Sequence, residues 1–73
     1  MNYKKFLLQL KTVRKQKGFS LRKLGNAIGI TGQYLFAIEN GRSPLKMKDY
    51  ISICEVLEIS PCLLLNETTY KPE

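Results

Sequence analysis

Residues 19–41 read FSLRKLGNAIGITGQYLFAIENG and form the most informative stretch of the chain. Ser20 is a favourable N-cap for a short helix, and Gly29 is suited to the left-handed turn that ends such a helix. Thr31 is the expected N-cap of a second short helix, which the Asn-Gly pair at the end of the stretch terminates. The sequence therefore predicts two helices joined by a link of only three residues.

The small and apolar residues of this stretch follow the order that a helix-turn-helix requires. Gly25 faces the crossing helix and must be small so that the two axes can approach, while Gly29 makes the turn. Either Tyr34 or Leu35 turns inward. Three apolar residues lock the second helix against the first: Ile30, Leu35 and Ile38. One such glycine is weak support, whereas the full ordered set is typical of a helix-turn-helix.

The spacing of apolar residues predicts helices on both sides of this pair. A first helix covers residues 3–17, and its apolar face carries Phe6, Leu10 and Val13. A fourth helix covers residues 46–58 and is expected to bury Met47, Tyr50, Ile51, Cys54 and Leu57.

The chain beyond the fourth helix is predicted to be short and simple. A Ser-Pro pair at 60–61 starts a fifth helix over residues 62–66, because proline suits the first helical position. No segment alternates with a period of two, so the expected fold is all-α. We expect one domain over residues 1–66 and a flexible tail at 67–73.

Length and composition limit the possible functions. A chain of 73 residues has room for one domain and little room for a deep substrate cleft. Histidine is absent, so the commonest general base and metal ligand is missing, and we expect no enzyme, no metal and no cofactor. Cys54 and Cys62 are interpreted as buried or half-buried thiols in a reducing cytoplasm. No apolar run reaches the roughly 18 residues that span a bilayer, so we expect a soluble protein.

The charge distribution is strongly asymmetric. Residues 1–48 carry eleven basic residues and one acidic residue, whereas residues 49–73 carry one basic and five acidic residues. The formal net charge is +6. This pattern suggests that one end of the domain faces phosphate. Composition alone leaves a solvated basic surface without a ligand as an open alternative.

The quoted stretch resembles the helix-turn-helix domains of phage repressors and Cro proteins and of the wider XRE family. The similarity runs from about Leu10 through Arg14 and Gly18 to the leucines at 64–65, about three quarters of the chain. It implies a compact five-helix DNA-binding domain. It also implies that residues 31–40 contain the recognition helix, which enters the major groove, while the preceding helix lies across the DNA backbone.

The resemblance implies base contacts at five positions: Gly32, Gln33, Tyr34, Phe36 and Ala37. Gln33 is the strongest candidate, because its amide can donate and accept together and so matches N6 and N7 of adenine. Gly32 and Ala37 offer only close approach or contact with a thymine methyl group. Tyr34 either reaches the DNA through its hydroxyl or packs on the preceding helix.

Phosphate contacts are expected at six positions: Ser20, Arg22, Lys23, Thr31, Asn40 and Arg42. Arg22 and Lys23 lie in the first turn of the second helix, where cations oppose the helix dipole. Their placement is explained if phosphates supply the compensating charge, and two solvated side chains are the alternative. The resemblance also implies a structural ion pair between Arg14 and Glu39, which links the first helix to the third.

Two positions depart from the family pattern. Leu21 replaces the glutamine that commonly opens the second helix, so a side-chain contact that supports the first recognition residue is missing. Phe36 stands where many relatives have a polar residue. It either packs against a thymine methyl group or is simply exposed.

The predicted function is a sequence-specific transcriptional regulator, a repressor or controller, that binds a palindromic operator in double-stranded DNA as a cytoplasmic homodimer. Four apolar residues are candidates for the dimer interface: Leu45, Ile51, Leu63 and Leu65. The alternative is an antitoxin-like or regulatory protein-interaction module with secondary DNA binding. The apolar cluster at 62–65 and the acidic C-terminal third would suit such a module.

Overall fold

The structure is a computed structural model and describes residues 2–61. Its helices are α1 (Tyr3–Gln16), α2 (Leu21–Ile28), α3 (Gly32–Glu39) and α4 (Met47–Leu57). This part of the chain contains no strand, and the all-α prediction is confirmed. Within residues 2–61 the count is four helices, so the predicted five are not matched. The predicted fifth helix at 62–66 and the predicted tail at 67–73 lie outside the described residues.

Side-chain oxygens cap the first three helices. Those of Asn2, Ser20 and Thr31 each accept a hydrogen bond from the backbone N–H three residues further on, at 3.0 Å. The predicted caps at Ser20 and Thr31 are therefore confirmed. A cap of this kind contributes roughly 1 kcal/mol, so the starts of α2 and α3 are fixed by local sequence.

The link between α2 and α3 depends on two glycines. Gly29 ends α2 with φ 86° and ψ 24°, in the left-handed region that favours glycine. The N–H of Ile30 then donates to the carbonyl of Gly25 at 2.9 Å, which folds the turn back onto α2. A Cβ atom on Gly25 would lie 2.7 Å from the carbonyl oxygen of Ile30, closer than real Cβ atoms come. Both glycines thus have the roles that the sequence predicts.

The hydrophobic core takes side chains from all four helices. Its buried apolar residues are Phe6, Leu7, Leu10, Leu24, Leu35, Ile38, Tyr50, Ile53, Cys54 and Leu57. The rings of Phe6 and Tyr50 meet edge to face with centroids 5.3 Å apart, which ties α1 to α4. On α3, Leu35 is fully buried whereas Tyr34 is half-buried, so Leu35 is the inward residue.

The prediction that Met47 and Ile51 of α4 are buried in the core is wrong. Met47 is 67% exposed and Ile51 is 42% exposed, whereas Ile53 is fully buried. The buried stripe runs through Tyr50, Ile53 and Cys54. Ile51 lies outside this stripe although it is as apolar as Ile53, so hydropathy does not select between them. The packing of α4 on its neighbours selects Ile53.

Cys54 is a buried free thiol, as the sequence predicts, and Cys62 lies outside the described residues. Burial raises the pKa of the Cys54 thiol above its ordinary value of 9.0, and a hydrogen bond with Tyr50 partly opposes this effect. The hydroxyl of Tyr50 donates its hydrogen to the carbonyl of Pro61 at 2.6 Å.

None of the helices in residues 2–61 combines the length and the apolarity needed to cross a bilayer.

Candidate nucleic-acid interface

The second helix of the motif, α3, presents one face to the core and one to solvent. It buries Leu35 and Ile38 completely. On the other side Gln33 is exposed, Phe36 is 50% exposed and Ala37 is half-buried. We refer to Gln33, Phe36 and Ala37 as the outward face of α3. This face offers one amide and apolar atoms, and it carries no charged side chain.

The start of α3 lies directly against the start of α2. A Cβ atom on Gly32 would be 3.2 Å from the Cα of Arg22 and 3.3 Å from its backbone nitrogen. Gly32 therefore faces α2, and the absence of a side chain at this position allows the two helices to approach. As a consequence the N-terminal turns of both helices are neighbours.

Exposed cations flank both ends of α3. Arg22 and Lys23 lie at the start of α2, and Arg42 follows α3, where its backbone N–H donates to the carbonyl of Ala37 at 2.9 Å. The Nζ atom of Lys23 lies 5.1 Å from the centre of the Phe19 ring, a cation–π contact. The first turns of α2 and α3 contain no acidic residue, so the helix dipoles leave these two ends electropositive.

Three polar residues with predicted phosphate contacts also hold the helix ends. The hydroxyl oxygens of Ser20 and Thr31 accept the capping hydrogen bonds, and each hydroxyl keeps a hydrogen that can be donated to a ligand. Asn40 ends α3, and its Nδ2 donates to the carbonyl of Phe36 at 2.8 Å. All three are exposed, so their polar groups are accessible to a ligand as well as to the helix ends.

Arg14 and Glu39 form the ion pair that the resemblance implies. Nε of Arg14 lies 2.8 Å from Oε2 of Glu39, Nη2 lies 3.3 Å from Oε1, and the side chains are 5% and 3% exposed. Nη1 of Arg14 also donates to the carbonyl of Phe19 at 2.7 Å. Glu39 is the single acidic residue among residues 1–48. Because it is paired and buried, no carboxylate of this segment repels a polyanion.

The remaining predicted positions divide between core and surface. Leu21, which departs from the family pattern, is half-buried and packs against the core, as does Leu45. Ile51 is exposed. Leu63 and Leu65 lie outside the described residues. Within residues 2–61 no cluster of three or more His, Cys, Asp or Glu side chains could hold a metal ion.

Two features of this surface were not predicted from the sequence. The carbonyl of Phe19 that receives Arg14 is a backbone atom, and every residue has one, so no side-chain pattern marks it. The contact between Gly32 and Arg22 depends on how α2 and α3 cross. Spacing along the chain does not encode that crossing, although a glycine at the first position of a helix is itself a weak signal of close approach.

The fold and this surface define a helix-turn-helix DNA-binding protein. A family model of helix-turn-helix proteins matches residues 10–64, which is most of the chain. The chain belongs to this helix-turn-helix family, of the XRE type, whose members are DNA-binding transcription regulators and generally not enzymes. No curated protein gives a significant match to the chain.

Proposed function

We propose that this transcription regulator is a sequence-specific repressor or controller that binds a palindromic operator as a homodimer in the cytoplasm. In this proposal α3 enters the major groove and α2 lies across the phosphate backbone. The observation that carries the proposal is the exposed amide of Gln33, which stands on a helix anchored in the core by Leu35 and Ile38.

Base reading is assigned first to Gln33. Its amide can make two hydrogen bonds to N7 and N6 of one adenine and cannot offer the same pair to guanine. The rigid anchoring of α3 supports this role, because a side chain reads a base edge only if its helix is held in a defined position. Tyr34 and Ala37 are half-buried and complete the proposed contacts together with Phe36 and the backbone at Gly32.

Phosphate contacts are assigned to the exposed polar and basic groups around α3. Ahead of α3 in the chain these groups are Ser20, Arg22 and Lys23 at the start of α2. Thr31 caps α3, and Asn40 and Arg42 follow it. The electropositive N-terminus of α2 adds backbone N–H groups to the same surface. Such contacts set position and orientation without reading sequence.

Dimerisation is proposed because one short recognition helix covers too few base pairs for useful selectivity. Two copies on one face of the duplex would place their recognition helices about 34 Å apart, one helical turn of DNA. Ile51, 42% exposed on α4, supports an apolar interface after the recognition helix. Leu45, Leu63 and Leu65 remain the other predicted members of that interface.

Selection of bound sites from a random duplex library, with the full chain, tests sequence specificity and half-site spacing together. We expect a palindromic motif. In a salt titration log K should fall with log salt at a slope of about −5 to −9, if the dimer contacts six to ten phosphates. Anionic vesicles serve as the control polyanion and should bind weakly.

Three outcomes contradict parts of this proposal. A slope near zero removes DNA as the main ligand and favours a protein partner. If the selection enriches no sequence, the binding is not sequence-specific. Sedimentation that finds only monomer at tens of micromolar, both with and without the selected DNA, removes the homodimer.

A further inference from the structure

The outward face of α3 has a chemical character that the surrounding surface does not share. Arg22, Lys23 and Arg42 are exposed around it, whereas its own large side chain is the 50% exposed ring of Phe36. An isolated exposed aromatic residue needs no explanation. This ring, however, belongs to the face of α3 that is proposed to enter the groove, and Gln33 is exposed on the same face.

The position of Phe36 on α3 directs its ring towards the start of the helix. Side chains of a helix lean towards its N-terminus, so a residue covers the turn that precedes it. The turn before Phe36 contains Gln33 three residues earlier and Gly32 four residues earlier. Gly32 has no side chain and lies against the backbone of Arg22 at the start of α2. The exposed half of the Phe36 ring therefore shares the N-terminal end of α3, the end that enters a groove first, with the exposed side chain of Gln33.

Resting on the proposed function, we infer that Phe36 is a specificity-determining residue and packs against the C5-methyl group of a pyrimidine near the base read by Gln33. The other base-edge groups of the major groove are hydrogen-bond donors or acceptors, and the C5-methyl group is the apolar one. A phenyl ring has no hydrogen-bonding group, so over a donor or acceptor it would leave that group unpaired at a cost in free energy. Over a methyl group it buries apolar surface from both partners.

The methyl group can belong to thymine or to 5-methylcytosine, and substituted operators distinguish these sources. In the operator obtained by selection, each thymine is replaced in turn by deoxyuridine, which removes the methyl group and keeps every hydrogen-bonding group. In a second series each cytosine is replaced by 5-methylcytosine. Affinities are measured for the wild type, Phe36→Ala, Phe36→Leu and Leu8→Ala; the last truncates an exposed leucine on α1 and is the matched control.

We expect the wild type to prefer the methylated base at one or two positions by about fourfold, the factor for burying one methyl-sized group. Phe36→Ala should abolish this preference, Phe36→Leu should retain part of it, and Leu8→Ala should leave it unchanged. A preference confined to thymine identifies thymine as the source, and one confined to methylated cytosine identifies 5-methylcytosine; either supports the inference.

Two results overturn the inference while the proposed function stands. One is a selected operator on which neither base replacement changes affinity by more than twofold. The other is a methyl preference that Phe36→Ala retains in full. If the wild type selects no sequence and its salt slope is near zero, the proposed function itself fails, and this inference fails with it.

Discussion

The guanidinium of Arg14 on α1 is held between the carboxylate of Glu39 at the end of α3, 2.8 Å away, and the carbonyl of Phe19 ahead of α2, 2.7 Å away. One side chain therefore connects the two ends of the helix-turn-helix to α1. Because both charged groups are almost completely buried, their desolvation is compensated only while both are present. This pair fixes the position of the helix-turn-helix relative to α1 while being almost completely buried itself.

Removal of one partner from this pair should be costly. Glu39→Ala leaves a buried guanidinium without its carboxylate, and we expect the free energy of unfolding to fall by about 3–5 kcal/mol. The double variant Arg14→Met with Glu39→Leu removes both charges, and we expect it to lose only about 1–3 kcal/mol, because the Phe19 carbonyl loses its donor. Urea denaturation measures both. Equal losses in the single and double variants would show that the buried charge is not the dominant cost.

The close approach at the turn predicts a second stability effect. In Gly25→Ala the new Cβ atom would be 2.7 Å from the Ile30 carbonyl oxygen, so the backbone of the turn must move. We expect a loss of about 1–3 kcal/mol, although alanine is the better helix former. Asn26→Ala, at the exposed next position of α2, is the matched control and should change stability by less than about 0.5 kcal/mol. Wild-type stability in Gly25→Ala would mean that the turn relaxes freely.

The helix-turn-helix could be predicted from the sequence, whereas the residues whose burial depends on helix packing could not. Gly25 and Gly29 could be interpreted correctly because their roles are local: a turn and a contact between consecutive helices. On α4 the choice between Ile51 and Ile53 depends on which side of the helix meets the rest of the core, and the two residues have the same hydropathy. The proposed phosphate contacts rest mainly on the family resemblance, since exposed cations have no intrinsic periodicity.

The buried thiol of Cys54 predicts a pH dependence of stability. Its pKa is raised in the folded state, chiefly by burial, above the ordinary value of 9.0 that applies when the chain unfolds. The stability that depends on the neutral thiol is therefore fully present below pH 9 and is lost as the pH rises through the folded-state pKa. Cys62→Ser leaves Cys54 as the single thiol for the measurement.

The control for this prediction removes the thiol itself. Urea unfolding between pH 7 and about 11 is compared for Cys62→Ser and for Cys62→Ser with Cys54→Ala. We expect the variant that retains Cys54 to lose more stability as the pH rises, since lysine and tyrosine titrations are common to both. Parallel pH profiles would show that the Cys54 thiol ionises as easily in the folded state as in the unfolded chain.

The last prediction separates base reading from phosphate contact on the selected operator. Gln33→Ala should weaken binding to the preferred operator by about 1–3 kcal/mol and leave binding to random duplex and the salt slope almost unchanged, because the amide reads one base and carries no charge. Arg42→Ala should weaken binding to all sequences alike and reduce the slope by about one, because it removes one phosphate contact. Both side chains are exposed, so neither variant should unfold the domain, which circular dichroism checks. If Gln33→Ala weakens operator and random duplex equally, Gln33 contacts the backbone, and base reading passes to Tyr34 and its neighbours on α3.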